Sequence, residues 1–144
     1  MSIAAVAVLA TVVLHFAWEM LQAPAFVDFA GSTWGATLRC LAATGGDLLL
    51  ATGAYAITAV VFRRAAWPVQ HRSIQPAATW IALGVVATIA FDQRALAEGR
   101  WACGPEMPVI VGIGLLPLLQ WRIGPGFTLA AVPYVAARRE LYCP

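Results

Sequence analysis

Long apolar segments alternate with short polar ones along this chain of 144 residues. A helix needs about 20 apolar residues to cross the hydrocarbon core of a bilayer, because each residue adds about 1.5 Å. Segments near that length cover residues 3–22, 36–62, 77–97 and 107–122. We therefore predict an all-α fold, an integral membrane bundle of four transmembrane helices that forms one domain over residues 1–144.

The apolar region that begins with the fourth segment is too long for a single straight crossing. One helix from Met107 to position 138 would be about 48 Å long, whereas the hydrocarbon core is about 30 Å thick. Helices kink or break at proline and at glycine pairs, which here means Pro117 and the Gly-Pro-Gly sequence at 124–126. We predict a broken fourth span followed by a short C-terminal helix; a further crossing by residues 126–142 is the alternative.

The composition supports a membrane location. Hydrophobic residues make up 61% of the chain and charged residues 11%, compared with about 45–50% and about 25% in soluble domains. The net charge is only +2, and the nine basic residues are all scattered arginines, which predicts no nucleic-acid partner. Lysine and asparagine are absent while alanine is abundant, a composition typical of a GC-rich bacterial genome.

Arginine positions predict the orientation in the membrane. One group lies between the second and third apolar segments and another lies in the C-terminal tail. The two groups are Arg63, Arg64 and Arg72, and Arg138 and Arg139. Because arginine concentrates on the cytoplasmic side, we predict a multi-pass protein of the bacterial plasma (inner) membrane with both termini in the cytoplasm. Loops 23–35 and 98–106 would then face outward.

Ionisable residues interrupt the apolar segments near their predicted outer ends. His15, Glu19 and Gln22 have the i, i+4, i+7 spacing that places them on one face of a helix. By helix counting, Glu19, Arg39 and Asp92 lie about 4–8 Å below the outer boundary, His15 about 10 Å and Asp47 about 16 Å. A buried charge costs about 2.5–3.5 kcal/mol, so such residues indicate a functional site. The candidate acid/base residues are His15, Glu19, Asp47 and Asp92.

Other polar and aromatic residues lie near the same end of the bundle and are candidates for substrate binding. They are Trp18, Gln22, Arg39, Glu98, Arg100 and Trp101. Tryptophan rings beside acids would cover a cation by ring-face attraction. The alternative is structural: tryptophan belts at both membrane interfaces, Arg39 neutralising a nearby acid, and His15 with Gln22 as hydrogen bonds between helices.

Metal binding and a disulfide are weaker alternatives. His15 and Glu19, with Asp47 or Asp92, have the donor chemistry of a divalent-metal site, but one histidine is too few for a metal prediction. The sequence indicates no particular cofactor. Cys40 and Cys103 both fall on the predicted outer side, where an oxidising compartment would permit a disulfide.

Several short motifs carry a resemblance to known proteins. They are His15-x-x-Trp18-Glu19-x-x-Gln22-x-Pro24, Gly46-Asp47, Glu98-Gly99-Arg100-Trp101, and Met107-Pro108 followed by Gly-x-Gly-Leu-Leu-Pro117-Leu-Leu-Gln120. Together they resemble a family of small uncharacterised bacterial multispan membrane proteins, over most of the chain. More faintly, the acid, the Gly-x-Trp turn and the interrupted apolar helix are similar to membrane carotenoid-modifying cyclases and hydratases, whose paired-acid motif is absent here.

Three functions are compatible with these features. The leading hypothesis is a polar pocket near the outer face that binds a small lipophilic or cationic substrate and acts on it by acid/base chemistry. The first alternative is a proton-coupled small-molecule carrier, in which Asp47 takes up and releases the proton and a homodimer builds the pathway. The second is a non-catalytic subunit or assembly factor of a larger membrane complex. Membrane lipids are predicted partners in every case.

Overall fold

Four long helices form the fold of the computed structural model, which describes residues 3–27, 33–70 and 74–142. Asp28, Arg72 and Cys143 lie outside these residues. The long helices are α1 (Ile3–Gln22), α2 (Thr33–Val61), α4 (Ile74–Ala97) and α5 (Leu115–Tyr142). Between them lie a 3₁₀ turn (Ala23–Ala25), the short helix α3 (Trp67–Gln70) and the two-residue strands β1 (Val109–Ile110) and β2 (Ile113–Gly114).

The long helices pack as a closed ring. Helix α1 contacts α2 and α5, and α4 contacts the same two helices from the opposite side. Each helix therefore has two neighbours, and the side chains that face the centre come from all four. The predicted all-α class is confirmed.

Polar side chains face the interior of this ring, and large apolar side chains face outward. Leu49, Val60 and Ile74 are all at least 75% exposed. The buried polar and charged side chains are Thr11, His15, Glu19, Gln22, Thr44, Thr58, Thr88, Asp92, Gln120 and Thr128. Lipid is as apolar as leucine, so an apolar exterior with a polar interior suits a bilayer. Among the described residues, three helical segments are long and apolar enough to cross one: Ala5–Ala25, Thr33–Val61 and Ile74–Ala97.

Helix α5 corrects the prediction of a broken fourth span. Residues 107–114 are not helical, and one continuous helix then runs from Leu115 to Tyr142 through both predicted break points. Pro117 lies in the first turn, where the missing N–H has no helical partner to lose. Pro125 is fully buried. Tertiary packing holds the helix together through the glycine-rich sequence, which propensity alone would interrupt.

The segment between α4 and α5 folds onto the end of α1. Strands β1 and β2 pair antiparallel across Val111 and Gly112, whose positive φ values of 52° and 77° suit a tight hairpin turn. The Val27 amide donates to the Ala102 carbonyl at 3.1 Å, and the Gly104 amide donates to the Ala25 carbonyl at 2.8 Å. This end of the bundle, which carries the polar cluster, is thus closed by ordered chain.

The opposite half of the bundle is aromatic. Trp67 meets Trp80 edge to face at 5.8 Å between ring centroids, and Tyr55 lies 6.1 Å from Trp67. The Trp80 indole donates to the Ala51 carbonyl at 3.0 Å, and the Tyr55 hydroxyl donates to the Ala65 carbonyl. Burial of these rings stabilises the half of the bundle that contains none of the candidate site residues.

Candidate functional site

Three side chains from three helices meet in the core, and we call them the inner triad: His15 of α1, Asp47 of α2 and Gln120 of α5. His15 Nδ1 lies 3.1 Å from Asp47 Oδ2 and 2.9 Å from Gln120 Nε2. Gln120 Nε2 donates to Asp47 Oδ2 at 2.5 Å. His15 is only 2% exposed, whereas the Asp47 side chain keeps 17% of its surface. These contacts join α1, α2 and α5 through side-chain polar atoms.

A hydrogen bond between His15 and Asp47 requires a proton on one of the two groups. The Gln120 amide nitrogen has two hydrogens, one for the contact with His15 and one for the contact with Asp47. An unprotonated imidazole nitrogen and a carboxylate oxygen are both acceptors. The contact between His15 and Asp47 therefore needs one further hydrogen. Asp47 Oδ2 or His15 Nδ1 can carry it. When Nδ1 carries it, the Gln120 amide donates to Asp47 alone. The contact between His15 and Asp47 is therefore a hydrogen bond for which either group can supply the proton.

Close packing fixes the imidazole of His15. Trp121 meets the ring edge to face at 6.1 Å between centroids. Gly124 also lies against the ring, because an added Cβ there would be 2.9 Å from His15 Nε2. Trp121 is itself held by Gly84 of α4, because a Cβ there would lie 2.0 Å from the indole ring. Two glycines and one tryptophan thus determine where the histidine lies.

One turn nearer the end of α1, a second set of side chains continues the polar path. Gln22 Nε2 donates to Glu19 Oε1 at 2.8 Å. The Trp18 indole N–H is shared between Gln22 Oε1 at 3.0 Å and the Leu116 carbonyl at 3.2 Å. Glu19 also lies close to the side chain of Gln120. The predicted residues Trp18, Glu19 and Gln22 therefore connect directly with the inner triad.

Asp92 reaches the same region from α4. Its side chain is buried, with 9% exposure, and it is close enough to Asp47 for the two carboxyl groups to interact electrostatically. Glu19 interacts with Asp47 in the same way. In the part of the chain that the structure describes, the Asp92 carboxyl group has no hydrogen bond or ion pair. All four predicted acid/base residues thus lie in one polar interior.

Helix counting placed His15 and Asp47 at different depths, but the structure puts them in contact. Helix α2 has 29 residues and α1 has 20, so the ends of the two helices do not lie at one level. Counting from helix ends therefore does not give relative depth, whereas the side-chain contacts do.

The predicted arginine and loop residues lie elsewhere. Arg39 is exposed on the outside of α2, and the buried position beside it is Cys40, which lies close to Glu19. Glu98 pairs with Arg94 at 2.6 Å and with Arg100 at 2.8 Å, all on the surface. The Arg100 guanidinium lies 5.9 Å from the Trp101 ring centroid. These three loop residues thus contact one another and Arg94, and they are not part of the polar interior.

The structure provides neither a disulfide nor a metal cluster among the residues it describes. Cys40 and Cys103 are both free thiols, so the alternative of a bridge between them is not borne out. Within the same residues, no group of three or more histidine, cysteine, aspartate or glutamate side chains is placed to hold a metal ion.

Cys103 provides a chemical probe of Asp92. Burial and the nearby Asp92 carboxylate both raise the pKa of this thiol, since each disfavours the thiolate. We expect Asp92→Asn to speed alkylation of Cys103 at pH 8, measured in a variant whose other two cysteines are serine. Glu106→Gln is the control: it lies nearer to Cys103 in the sequence but does not act on the pKa of the thiol. Equal rates in all three proteins would show that Asp92 lies too far away.

Sequence reasoning missed Gln120 as a site residue, although the polar amide stands in the apolar run Leu118-Leu119-Gln120-Trp121. A polar residue inside such a run was the available signal. The supporting roles of Gly84, Trp121 and Gly124 had no comparable signal, because they depend on which helices are neighbours.

Comparisons of the chain with protein-family models, curated proteins and solved structures give no match. The motif resemblance therefore stays a prediction, and the function of the site has to be inferred from its geometry.

Proposed function

We propose that this chain is a bacterial inner-membrane protein whose polar interior binds a small lipophilic or cationic substrate near the outer face and acts on it by acid/base chemistry. The observation that carries the proposal is the inner triad, in which a histidine, a carboxyl group and an amide lie within hydrogen-bond distance of one another inside an apolar-faced helix bundle. General acid/base groups must lie within about 2.6–3.2 Å of their proton-transfer partner. His15 and Asp47 meet that requirement with each other.

Each residue of the site has a distinct role in this proposal. His15 and Asp47 exchange the proton with substrate. The amide group of Gln120 contacts both side chains and fixes their positions. Glu19 and Gln22 extend the polar path toward the outer end of α1, with Trp18 as part of the wall. Asp92 supplies a carboxylate from the opposite side of the ring.

Substrate access is supported by the surface around Asp47. The carboxyl side chain is not fully covered, and the two residues before it are Gly45 and Gly46. A Cβ added at either glycine would meet nothing within 4 Å. The surface of α2 next to Asp47 therefore has room for a lipophilic molecule.

A comparison of metabolites tests this function and identifies the substrate in the same experiment. Membranes containing the wild-type protein, His15→Gln, Asp47→Asn or Glu106→Gln would be incubated with lipid and polar extracts of the host cells and examined by mass spectrometry. We expect a compound that is converted by the wild type and Glu106→Gln and unchanged with the other two. Conversion that continues in both triad variants would contradict the proposal.

Asp47 also favours a second candidate, the proton-coupled carrier. Its carboxyl group contacts side chains of α1 and α5, so a change in its protonation would alter contacts between three helices. A carrier would move a compound into sealed vesicles unchanged and acidify or alkalinise the lumen as it did so. Asp47→Asn would abolish that coupling, whereas an enzyme would show a new product.

The proposed orientation has four crossings, with α5 as the fourth, and both termini in the cytoplasm. In a cysteine-free background, we expect Glu106→Cys to react with an impermeant maleimide added outside spheroplasts, and Arg64→Cys to react only after lysis. A reporter fused after Pro144 is expected to be cytoplasmic. Labelling of that fusion from outside would mean that α5 does not cross.

A further inference from the structure

Two arginines share one carboxylate on the surface of the bundle, at the end where α4 stops. Arg94 Nε lies 2.6 Å from Glu98 Oε1, and Arg100 Nε lies 2.8 Å from Glu98 Oε2. Because each oxygen of the same carboxylate contacts a different arginine, the two guanidinium groups are neighbours. We call these three residues the arginine clamp. It carries two positive charges and one negative charge, so an anion is the ligand that its charge attracts.

The backbone after α4 turns Arg100 back toward the helix. Gly99 has a φ of 66°, in the left-handed region that glycine adopts without strain. The Gly99 amide donates to the Leu96 carbonyl at 3.2 Å, and the Arg100 amide donates to the Ala95 carbonyl at 2.9 Å, which is the Schellman end of a helix. The Arg100 guanidinium also lies 5.9 Å from the Trp101 ring centroid, within cation–π range. A helix cap and an aromatic ring thus position the clamp, in addition to its ion pairs.

The clamp lies at the level where the apolar, membrane-spanning part of the bundle ends. The Gly104 amide donates to the Ala25 carbonyl, so the chain just after the clamp is level with the end of the spanning segment Ala5–Ala25. Counting along α4 gives the same level. Gly84 is near the middle of this helix, and Arg94 lies about 15 Å further along it, which is about half the thickness of a hydrocarbon core. In a bilayer, lipid headgroups occupy this level.

An exposed aromatic side chain continues the same face of α4 toward the middle of the bundle. Phe91, Arg94 and Glu98 have the i, i+3, i+7 spacing that places side chains on one face of a helix. Phe91 is 54% exposed. A molecule that lies along this face therefore meets an apolar ring at hydrocarbon depth and two guanidinium groups at headgroup depth. The ligand that matches both features is amphipathic and has an anionic head.

We propose that the arginine clamp binds the phosphate group of an anionic phospholipid, with an acyl chain lying along Phe91. Besides the Nε that faces Glu98, each arginine has N–H donors on two Nη atoms, and guanidinium groups bind phosphate oxygens through paired, charge-assisted hydrogen bonds. A lipid with one net negative charge balances the clamp, whereas a zwitterionic lipid brings a cation along with its phosphate. This lipid site is on the outside of the bundle and does not depend on the function of the inner triad.

Binding is tested on the purified protein in a non-ionic detergent, with dioleoyl phosphatidylglycerol as the probe. Dioleoyl phosphatidylcholine has the same chains without the net charge, and inorganic phosphate and polyglutamate are anions without chains. We expect phosphatidylglycerol to raise the thermal unfolding midpoint in a saturable way, because it binds the native state. Phosphatidylcholine should bind about tenfold or more weakly, and neither chain-free anion should produce a saturable shift. Equal binding of the two lipids, or an equal shift with either chain-free anion, would overturn the proposal.

Substitution of the arginines locates the lipid site. In Arg94→Gln or Arg100→Gln the remaining guanidinium is paired with Glu98, so the clamp becomes neutral. We expect each variant to bind phosphatidylglycerol about tenfold or more weakly and to lose its preference over phosphatidylcholine. Arg64→Gln removes the same charge just beyond the far end of α2 and should keep both the affinity and the preference. Wild-type affinity in the Arg94→Gln/Arg100→Gln double variant would show that the lipid binds elsewhere.

Discussion

Replacement of Gly84 by alanine is expected to destabilise the protein by about 3 kcal/mol or more, at the upper end of the range for overpacked cores. The new methyl group would lie 2.0 Å from the Trp121 ring, which is 1% exposed and packed against His15. Neither the helix backbone nor the rigid indole can move aside without disturbing the contact between α4 and α5. The measurement is the unfolding free energy in detergent micelles.

Gly53→Ala is the matched control for this substitution. Gly53 is also inside a long helix, but a Cβ there meets nothing within 4 Å. Alanine stabilises a helix interior by about 1 kcal/mol relative to glycine, so the control should be neutral or slightly stabilising. If Gly84→Ala is as stable as Gly53→Ala, Trp121 does not lie against α4.

His15 and Asp47 are expected to be energetically coupled. Removal of either side chain, as His15→Ala or Asp47→Ala, leaves the other with Gln120 as its remaining partner in the triad, and the lost hydrogen bond costs about 0.5–1.5 kcal/mol. The double variant should lose less than the sum, with a coupling of about 0.5–3 kcal/mol. The cycle is measured by unfolding of the four proteins in the same detergent.

A second cycle controls for effects of helix packing alone. Thr11 lies one turn before His15 on the same buried face, and its hydroxyl donates to the Ala7 carbonyl within α1. Thr11→Ala combined with Asp47→Ala should therefore be additive. Additivity in the His15 cycle as well would show that the inner triad does not form.

The helix boundaries follow closely from the hydrophobic pattern where local signals dominate. Helix α1 has the bounds predicted for the first segment, and α4 ends at the predicted residue. Helix α4 begins before the predicted start because Pro76 lies within its first turn, where proline is tolerated. Helix α5 runs unbroken because the contacts of Trp121 and Gly124 with α4 and α1 outweigh the local preference of a glycine-proline sequence.

The polar interior was predictable in identity but not in arrangement. The cost of burying His15, Glu19, Asp47 and Asp92 singles them out from the sequence. Which groups touch depends on the relative levels of the helices, and a length difference between α1 and α2 changes those levels. Arg39 illustrates the limit: it is adjacent to the buried Cys40 in sequence, yet the turn of the helix points it outward.

The most direct test of the central claim, a hydrogen bond between His15 and Asp47, is solid-state NMR of the ¹⁵N-histidine-labelled protein in bilayers. The chain has two histidines, and His71→Gln leaves only the His15 signals. We expect the Nδ1 resonance to show a hydrogen-bonded nitrogen and to shift clearly in Asp47→Asn, with Glu106→Gln unchanged. An Nδ1 resonance that is identical in the wild type and Asp47→Asn would contradict the account.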